Sequence, residues 1–318
     1  METSDKSSLI SKAYSGHVND PLPLHHLATF VAILDEGGFE AAAARLHVSG
    51  PAVSQRMRAL EARVGRGLLQ RTVPPSPTAA GERLLPHARR LVAMAHDAAL
   101  AVGLPGGDGA RPRLSLAVNA DSLETWFLDA LAGAPASSGT DVLLERADQD
   151  HTELLLRSGA VSAAVTTAPD PVPGCRCDVL GVMRYLPVAS PRLLAAHGLD
   201  AASAPDVLAS LPLVDFDDTD DLQRSALAAW LGHEASPPRH RVPSSSAFVR
   251  AVQLGFGWGM VPEEQARPAL ASGALVPLPH GRAHDVVLFW QRWDPAPTAL
   301  EALSVHLLGF AAARLRPA

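Results

Sequence analysis

Apolar residues recur at helical spacing through the first third of the chain. Leu24, Leu27, Phe30, Val31 and Leu34 mark one face of a helix that Gly37-Gly38 stops. A short Ala-rich helical run, Phe39 to Leu46, follows. After His47-Val48, Ser49 stands as an N-cap with Pro51 in the first turn. Val53, Met57, Leu60 and Val64 then mark one face of a third helix, ended by Gly65 and Gly67. A helix followed by two more joined through a short turn is the plan of a helix-turn-helix.

Pro74, Pro75 and Pro77 forbid helix across 68–77, which reads as an extended arm or wing. Thr78 then caps a long helix carrying Leu84, Leu85, Leu91, Val92, Met94 and Leu100, in which Pro86 predicts a kink or an early start. Beyond the Gly/Pro-rich stretch GLPGGDGARPR the pattern changes to alternation. Short strands are expected at 114–118, 141–144, 161–165, 179–188, 212–216, 257–261 and 286–290, with helices between most of them. That alternation implies an α/β unit with largely parallel sheets, in which ligands bind at the carboxyl ends of strands. The fold class is therefore multi-domain α/β. It comprises a disordered extension (1–20), a winged helix-turn-helix (21–77), a linker helix (78–102), a hinge (103–113) and an α/β domain (114–318).

The 318 residues, 47% apolar and 19% charged, can fill a core and rule out a disordered chain. Neither a signal peptide's apolar stretch nor a run approaching the ~20 residues of a membrane span occurs, so a cytoplasmic protein without a membrane partner is expected. Cys175 and Cys177 are the only cysteines, too few for a disulfide framework and without further ligands for a metal.

The net charge of −6 argues, taken whole, against nucleic acid. By region the picture reverses. Residues 1–92 hold 11 Lys+Arg against 8 Asp+Glu, whereas 93–318 hold 16 against 25. Between 45 and 71 six arginines (Arg45, Arg56, Arg58, Arg63, Arg66, Arg71) face one acid, Glu61. On the third helix Pro51, Gln55 and Arg58 lie opposite the apolar stripe, with Ser54 flanking. Gln pairs bidentately with adenine and Arg with guanine, so this row suits major-groove readout. Ser49, Pro51, Ser54, Gln55, Arg56 and Arg58, with Arg71 and Thr72 of the wing, are the candidate DNA-binding residues.

The segment GGFEAAAARLHVSGPAVSQRMRALEARVGRGLLQRTVPPSPTAAG resembles the N-terminal domain of LysR-type transcriptional regulators. The likeness continues through LSLAVNADSLETW, RYLPVAS and SSSAFVRAVQLGFGWGMVPE, covering about 22–316. RTVPPSPT and LAVNADSLETW are similar to one branch, the lysine- and arginine-responsive activators of basic amino-acid exporters (LysG/ArgP type). The resemblance implies a dimerising linker helix and a periplasmic-binding-protein-like effector domain of two α/β subdomains (114–184 with 294–318, and 185–293). It also implies a homodimer or homotetramer on a palindromic double-stranded operator, RNA polymerase as a partner, L-lysine or L-arginine as effector, and no cofactor, metal or enzymatic activity. Two positions depart from the family pattern. Gly50 stands where the family usually has Gln, and Ser76 where a basic wing residue is expected, so those two contacts do not carry over.

A basic amino acid needs acids for its cations and an anion site for its carboxylate. Asp121 and Ser122 follow the strand at 114–118, and Asp215, Asp217, Asp218, Asp220 and Asp221 follow another. Ser244, Ser245 and Ser246 open an apolar-periodic helix whose backbone N–H groups suit a carboxylate. Asp121, Ser122, Thr166, Thr167, Asp215, Ser245 and Ser246 are the candidate effector residues. Helix capping is the competing role for Asp121, Ser122 and the serines. Trp126 and Trp258 either wall the cleft or fill the core. G-x-S-x-G, H-E-x-x-H and G-x-x-x-x-G-K-[ST] are all missing, which removes the motif-bearing enzyme classes. An enzyme of an α/β class without a recognisable motif and a DNA-packaging protein without effector control are the alternatives.

Overall fold

The structure, a computed structural model, describes residues 22–104, 113–134, 140–147, 149–200 and 203–318. The extension expected over 1–20 and most of the expected hinge lie outside these residues. The chain divides into two units at Ala110/Arg111.

In the first unit α1 (Leu24–Asp35), α2 (Phe39–Arg45) and α3 (Gly50–Val64) follow in order. Of the predicted stripes, Leu27, Phe30 and Val31 pack with Val53, Met57 and Leu60 in a core that Ile33 joins, whereas Leu24 is exposed. His47, in the turn between α2 and α3, takes the left-handed conformation at φ 50°. Ser49 occupies the N-cap position of α3, but its side chain makes no capping hydrogen bond. Pro51 instead supplies a first-turn residue whose missing N–H costs nothing there. Gly65, at φ 72°, ends the helix.

The wing is a two-stranded antiparallel ribbon, β1 (Leu69–Gln70) against β2 (Ser76–Pro77). α4 (Ala79–Ala101) starts at Thr78, whose hydroxyl accepts from Gly81 N at 3.1 Å and donates to the Gly67 carbonyl at 2.8 Å. Gly81 is required by close approach, since a Cβ there would collide with the Leu68 carbonyl oxygen. The helix runs through Pro86, which fits the early start.

The second unit holds a seven-stranded sheet. Its strands are β3 (Arg113–Val118), β4 (Asp141–Arg146), β5 (Ala163–Thr166), β6 (Cys175–Ala189), β9 (Gly259–Pro262), β10 (Val276–Pro277) and β11 (His284–Trp293). The order is β10-β6-β11-β5-β3-β4, with β9 also on β6. β3, β4 and β5 are parallel, but β6, β9, β10 and β11 pair antiparallel. The expectation of a largely parallel sheet is thus corrected. The chain leaves along β6, builds residues 190–283, and returns beside it along β11, so the longest pairing is antiparallel.

The first subdomain combines β3, β4 and β5 with a helix α5 over 120–132, α6 (Gln149–Arg157) and α11 (Thr298–Arg314). A π-helical turn over Leu123–Phe127 interrupts α5, and both Trp126 and Phe127 are buried there. The second subdomain contains a parallel pair, β7 (Leu213–Asp215) and β8 (Arg239–Arg241). Around it stand α7 (Pro191–Ala196), α8 (Leu222–Leu231), α9 (Ser245–Gln253) and α10 (Glu263–Ala271). Its core joins Val188, Val214, Phe248, Val252, Val261 and Leu275. Phe289, Trp290, Gln291 and Arg292 pair with β5. The register of β11 on β6 shifts between Leu288 and Phe289, where the pairing with β5 begins.

Candidate functional site

Because α3 turns Val53, Met57 and Leu60 inward, its other face is free. Ser49, Pro51, Gln55 and Arg58 are exposed, while Ser54 and Arg56 are half-buried on the flanks. Arg58 Nε donates to the Ser54 carbonyl at 3.2 Å, which lays the side chain back along the helix and leaves its other donors available. Arg45 is tied to Glu36 at 2.8 Å and belongs to the scaffold. Glu61, the one acid of the basic stretch, faces the wing. Its Oε1 accepts the Leu68 N–H at 2.7 Å and the Leu69 N–H at 3.3 Å, pinning the ribbon to α3.

In the wing Arg71 is exposed and Thr72 is exposed beside it. Thr72 donates its hydroxyl proton to the Pro74 carbonyl at 2.7 Å and sits 3.0 Å from Ser76 Oγ. The hydroxyl thus helps to shape the tip of the wing. The place of Glu40 is not legible in the sequence. Its carboxylate lies over Gly50 at the start of α3, where a Cβ would stand 2.7 Å from Oε1.

The second site is a cleft of about 730 Å³ between the two subdomains. At its floor Asp121, on the first turn of α5, accepts from two hydroxyls. Ser245 Oγ donates to Oδ1 and Tyr185 Oη to Oδ2, each at 2.7 Å. Gln265 Nε2 donates in turn to Ser245 Oγ at 3.1 Å. Burial holds the Asp121 carboxyl above its ordinary range, against the downward pull of the two hydroxyls. Burial and the adjacent Asp121 likewise push the Tyr185 phenol well above its ordinary value, so it stays a neutral donor. Asn119, just beyond β3, lines the cleft with a buried Oδ1 that has no partner. Strand ends supply Arg146 from β4 and Thr167 after β5, while the turn after β7 brings Asp217, Asp220 and Asp221.

The expected residues divide accordingly. Asp121, Thr167 and Ser245 line the cleft; Ser122, Thr166, Asp215 and Ser246 do not. Ser122 is fully buried behind Asp121 in the same turn. The Thr166 hydroxyl accepts from Ala168 N at 3.1 Å and shapes the strand exit. Ser246 lies on the exposed side of α9. Asp215 is buried in a pair with Arg239, 2.5 Å from its Nε, and so serves the β7–β8 ribbon. Its neighbour Asp220 faces the cleft instead, and its Oδ2 accepts from Phe216 N at 2.8 Å and Gln223 Nε2 at 2.7 Å. Trp126 and Trp258 are core residues. Arg146, Tyr185, Asn119 and Gln265 were not anticipated, although Asn119 and Arg146 stand at strand carboxyl ends, where ligands gather. Among the described residues no group of His, Cys, Asp or Glu forms a metal site, and no helix is long and apolar enough to cross a membrane.

A winged helix-turn-helix followed in the same chain by a two-subdomain unit with a polar cleft defines a ligand-binding DNA regulator. The family models agree: "Bacterial regulatory helix-turn-helix protein, lysR family" matches residues 24–82 and "LysR substrate binding domain" matches 107–311. The chain belongs to the LysR family of transcriptional regulators. It is 41% identical over 285 residues to the transcriptional regulator ArgP of Pseudomonas aeruginosa, covering 89% of this chain and 93% of that protein. It is 41% identical over 296 residues to the lysine export transcriptional regulatory protein LysG of Corynebacterium efficiens, covering 92% and 98%. Full-length LysG from Corynebacterium glutamicum with bound effector arginine superposes with a TM-score of 0.71 at 36% identity, covering 93% of this chain and all of that one.

Proposed function

We propose that this regulator activates an amino-acid exporter gene when L-lysine or L-arginine occupies the cleft. One observation carries the effector assignment. Among the described residues, the lining presents four carboxylates (Asp121, Asp217, Asp220 and Asp221) and a single arginine, Arg146. That is the charge complement of a ligand with two cations and one carboxylate. The bound arginine of one relative and the lysine-export role named for another support the same reading. Asp121 and the free Oδ1 of Asn119 serve one ammonium, and the acidic turn after β7 serves the other cationic end. Occupancy draws the subdomains together across Asp121 and Ser245 and biases the assembly on DNA.

On the DNA side Gln55 and Arg58 read base edges in the major groove, Ser49, Pro51, Ser54 and Arg56 border them, and Arg71 holds a phosphate. Leu91 and Leu100 lie exposed on α4, which supports pairing of that helix between copies as a dimer or tetramer on a palindromic operator. RNA polymerase is the partner of such an activator, the cytoplasm its compartment, and catalysis is not part of its role. Isothermal titration of the full-length protein with L-lysine, L-arginine and L-leucine tests the effector. Heat from a basic amino acid and none from leucine is expected, and silence from both basic amino acids overturns the assignment.

A further inference from the structure

Among the described residues, the cleft is lined by one arginine for which no ion pair is formed. Arg146 ends β4 in the first subdomain and is the only arginine or lysine among the described lining residues. Both of its contacts are neutral and come from the second subdomain. Its NH1 donates to the Pro243 carbonyl at 3.3 Å, and its guanidinium lies 5.7 Å from the centre of the Phe216 ring. A guanidinium has five N–H donors, so most of its capacity is unused.

The geometry points to Arg146 as the anchor of the effector's α-carboxylate, and so as the residue that requires the effector to be an amino acid rather than a diamine. This inference rests on the basic amino-acid reading of the cleft. A carboxylate entering beside Asp121, Asp217, Asp220 and Asp221 meets like charge on those sides. Only Arg146 offers an opposite charge, in the planar fork that matches a carboxylate's two oxygens. The Phe216 ring and the Pro243 carbonyl hold the fork in place before the ligand arrives.

The serine hydroxyls beside the expected anion site are turned to other work or away from the cleft. Ser244 Oγ accepts from Ala247 N at 3.5 Å, the Ser245 proton goes to Asp121, and Ser246 does not line the cleft. Arg146 also links the two subdomains through Pro243. A carboxylate bound there adds a charged bridge to a neutral one.

Titration of the full-length protein with L-arginine and with agmatine, its decarboxylated analogue, tests the inference. The wild type binds arginine more tightly than agmatine. Arg146→Gln weakens arginine about tenfold to a hundredfold, the scale of a charge-assisted hydrogen bond, and leaves agmatine as tight or tighter, so the preference disappears. Arg146→Lys keeps a point charge and restores part of it, which separates charge from misfolding. An Arg146→Gln protein that retains the wild-type preference, or weakens both ligands equally, overturns the anchor while leaving the basic amino-acid reading intact. A wild type that binds neither arginine nor lysine overturns that reading and the anchor together.

Discussion

Ser245 Oγ donates to Asp121 Oδ1 at 2.7 Å across 124 residues of sequence, joining the first turn of α9 to the first turn of α5. This bond and the one from Tyr185 make Asp121 the meeting point of the two subdomains. Both partners had a second reading as simple helix caps. The bond shows that the side chains face each other instead of folding back on their own helices.

Asp121 gives the protein a pH signature. Burial is the first cause of its raised pKa. Below the unfolded value of about 3.9 it is protonated in both states, and its full contribution to stability is present. As pH rises through the folded pKa the native state must lose a proton it holds more tightly than the unfolded chain does, and that contribution is lost. Asp121→Asn therefore gains stability relative to wild type as pH rises from 4 to 7. Urea unfolding of both proteins across that range measures it, and parallel curves would contradict the assignment.

Asp215 and Arg239 form a structural pair, so their variants separate folding from ligand binding. Arg239→Met strands a buried carboxylate and costs about 1–3 kcal/mol in urea unfolding. Asp215→Asn, by contrast, leaves effector affinity within about twofold of wild type, because the side chain is absent from the cleft lining. A loss of binding without a loss of stability in Asp215→Asn would return this residue to the effector site.

Gly81→Ala pushes a methyl into the Leu68 carbonyl and must displace either the wing or the start of α4. A stability loss of about 1–3 kcal/mol is expected, with weaker binding to every DNA sequence because the wing carries Arg71. Thermal melts and gel shifts on specific and random duplexes report the two effects.

The recognition helix and the wing separate by salt and sequence. Gln55→Ala or Arg58→Ala relaxes preference at particular base pairs, each by about 1–3 kcal/mol of discrimination. Arg71→Ala weakens all sequences alike and lowers the salt slope by about one. Filter binding at several salt concentrations distinguishes them, and a wild-type slope for Arg71→Ala would remove the wing from the phosphate contacts.

Local pattern made the first unit legible. The stripe of Val53, Met57 and Leu60 required a buried face, so the exposure of Gln55 and Arg58 opposite followed from helical geometry alone. The roles of Glu61 and Glu40 did not follow, because Glu61 meets Leu68 only once the wing folds back, and Glu40 meets Gly50 only through the turn between two helices. The hydrogen bond of Thr72 is hidden from the sequence for a related reason. A threonine beside an exposed arginine looks like a phosphate donor until the chain reversal at Pro74 brings a carbonyl to its hydroxyl.

In the second unit most strand positions could be read from apolar runs, but their pairing could not. Alternation of strands and helices suggests parallel neighbours, whereas β6 and β11 are partners because the chain makes a long excursion and returns. That return builds the cleft. It decides that Asp220 rather than Asp215 faces the cleft and that Arg146 looks across at Phe216.

The sequence by itself determined the helix-turn-helix, its outward polar row, the wing and the division of charge between a basic N-terminal part and an acidic remainder, because each depends on residues close along the chain. Only the tertiary structure decided which acids share the cleft, that Asp121 binds Ser245 and Tyr185, and that, among the described residues, one arginine lines the cleft with no ion pair formed. Those relationships join residues as far as 124 positions apart, and contact at that range is set by how strands pair and helices pack, which local periodicity does not encode.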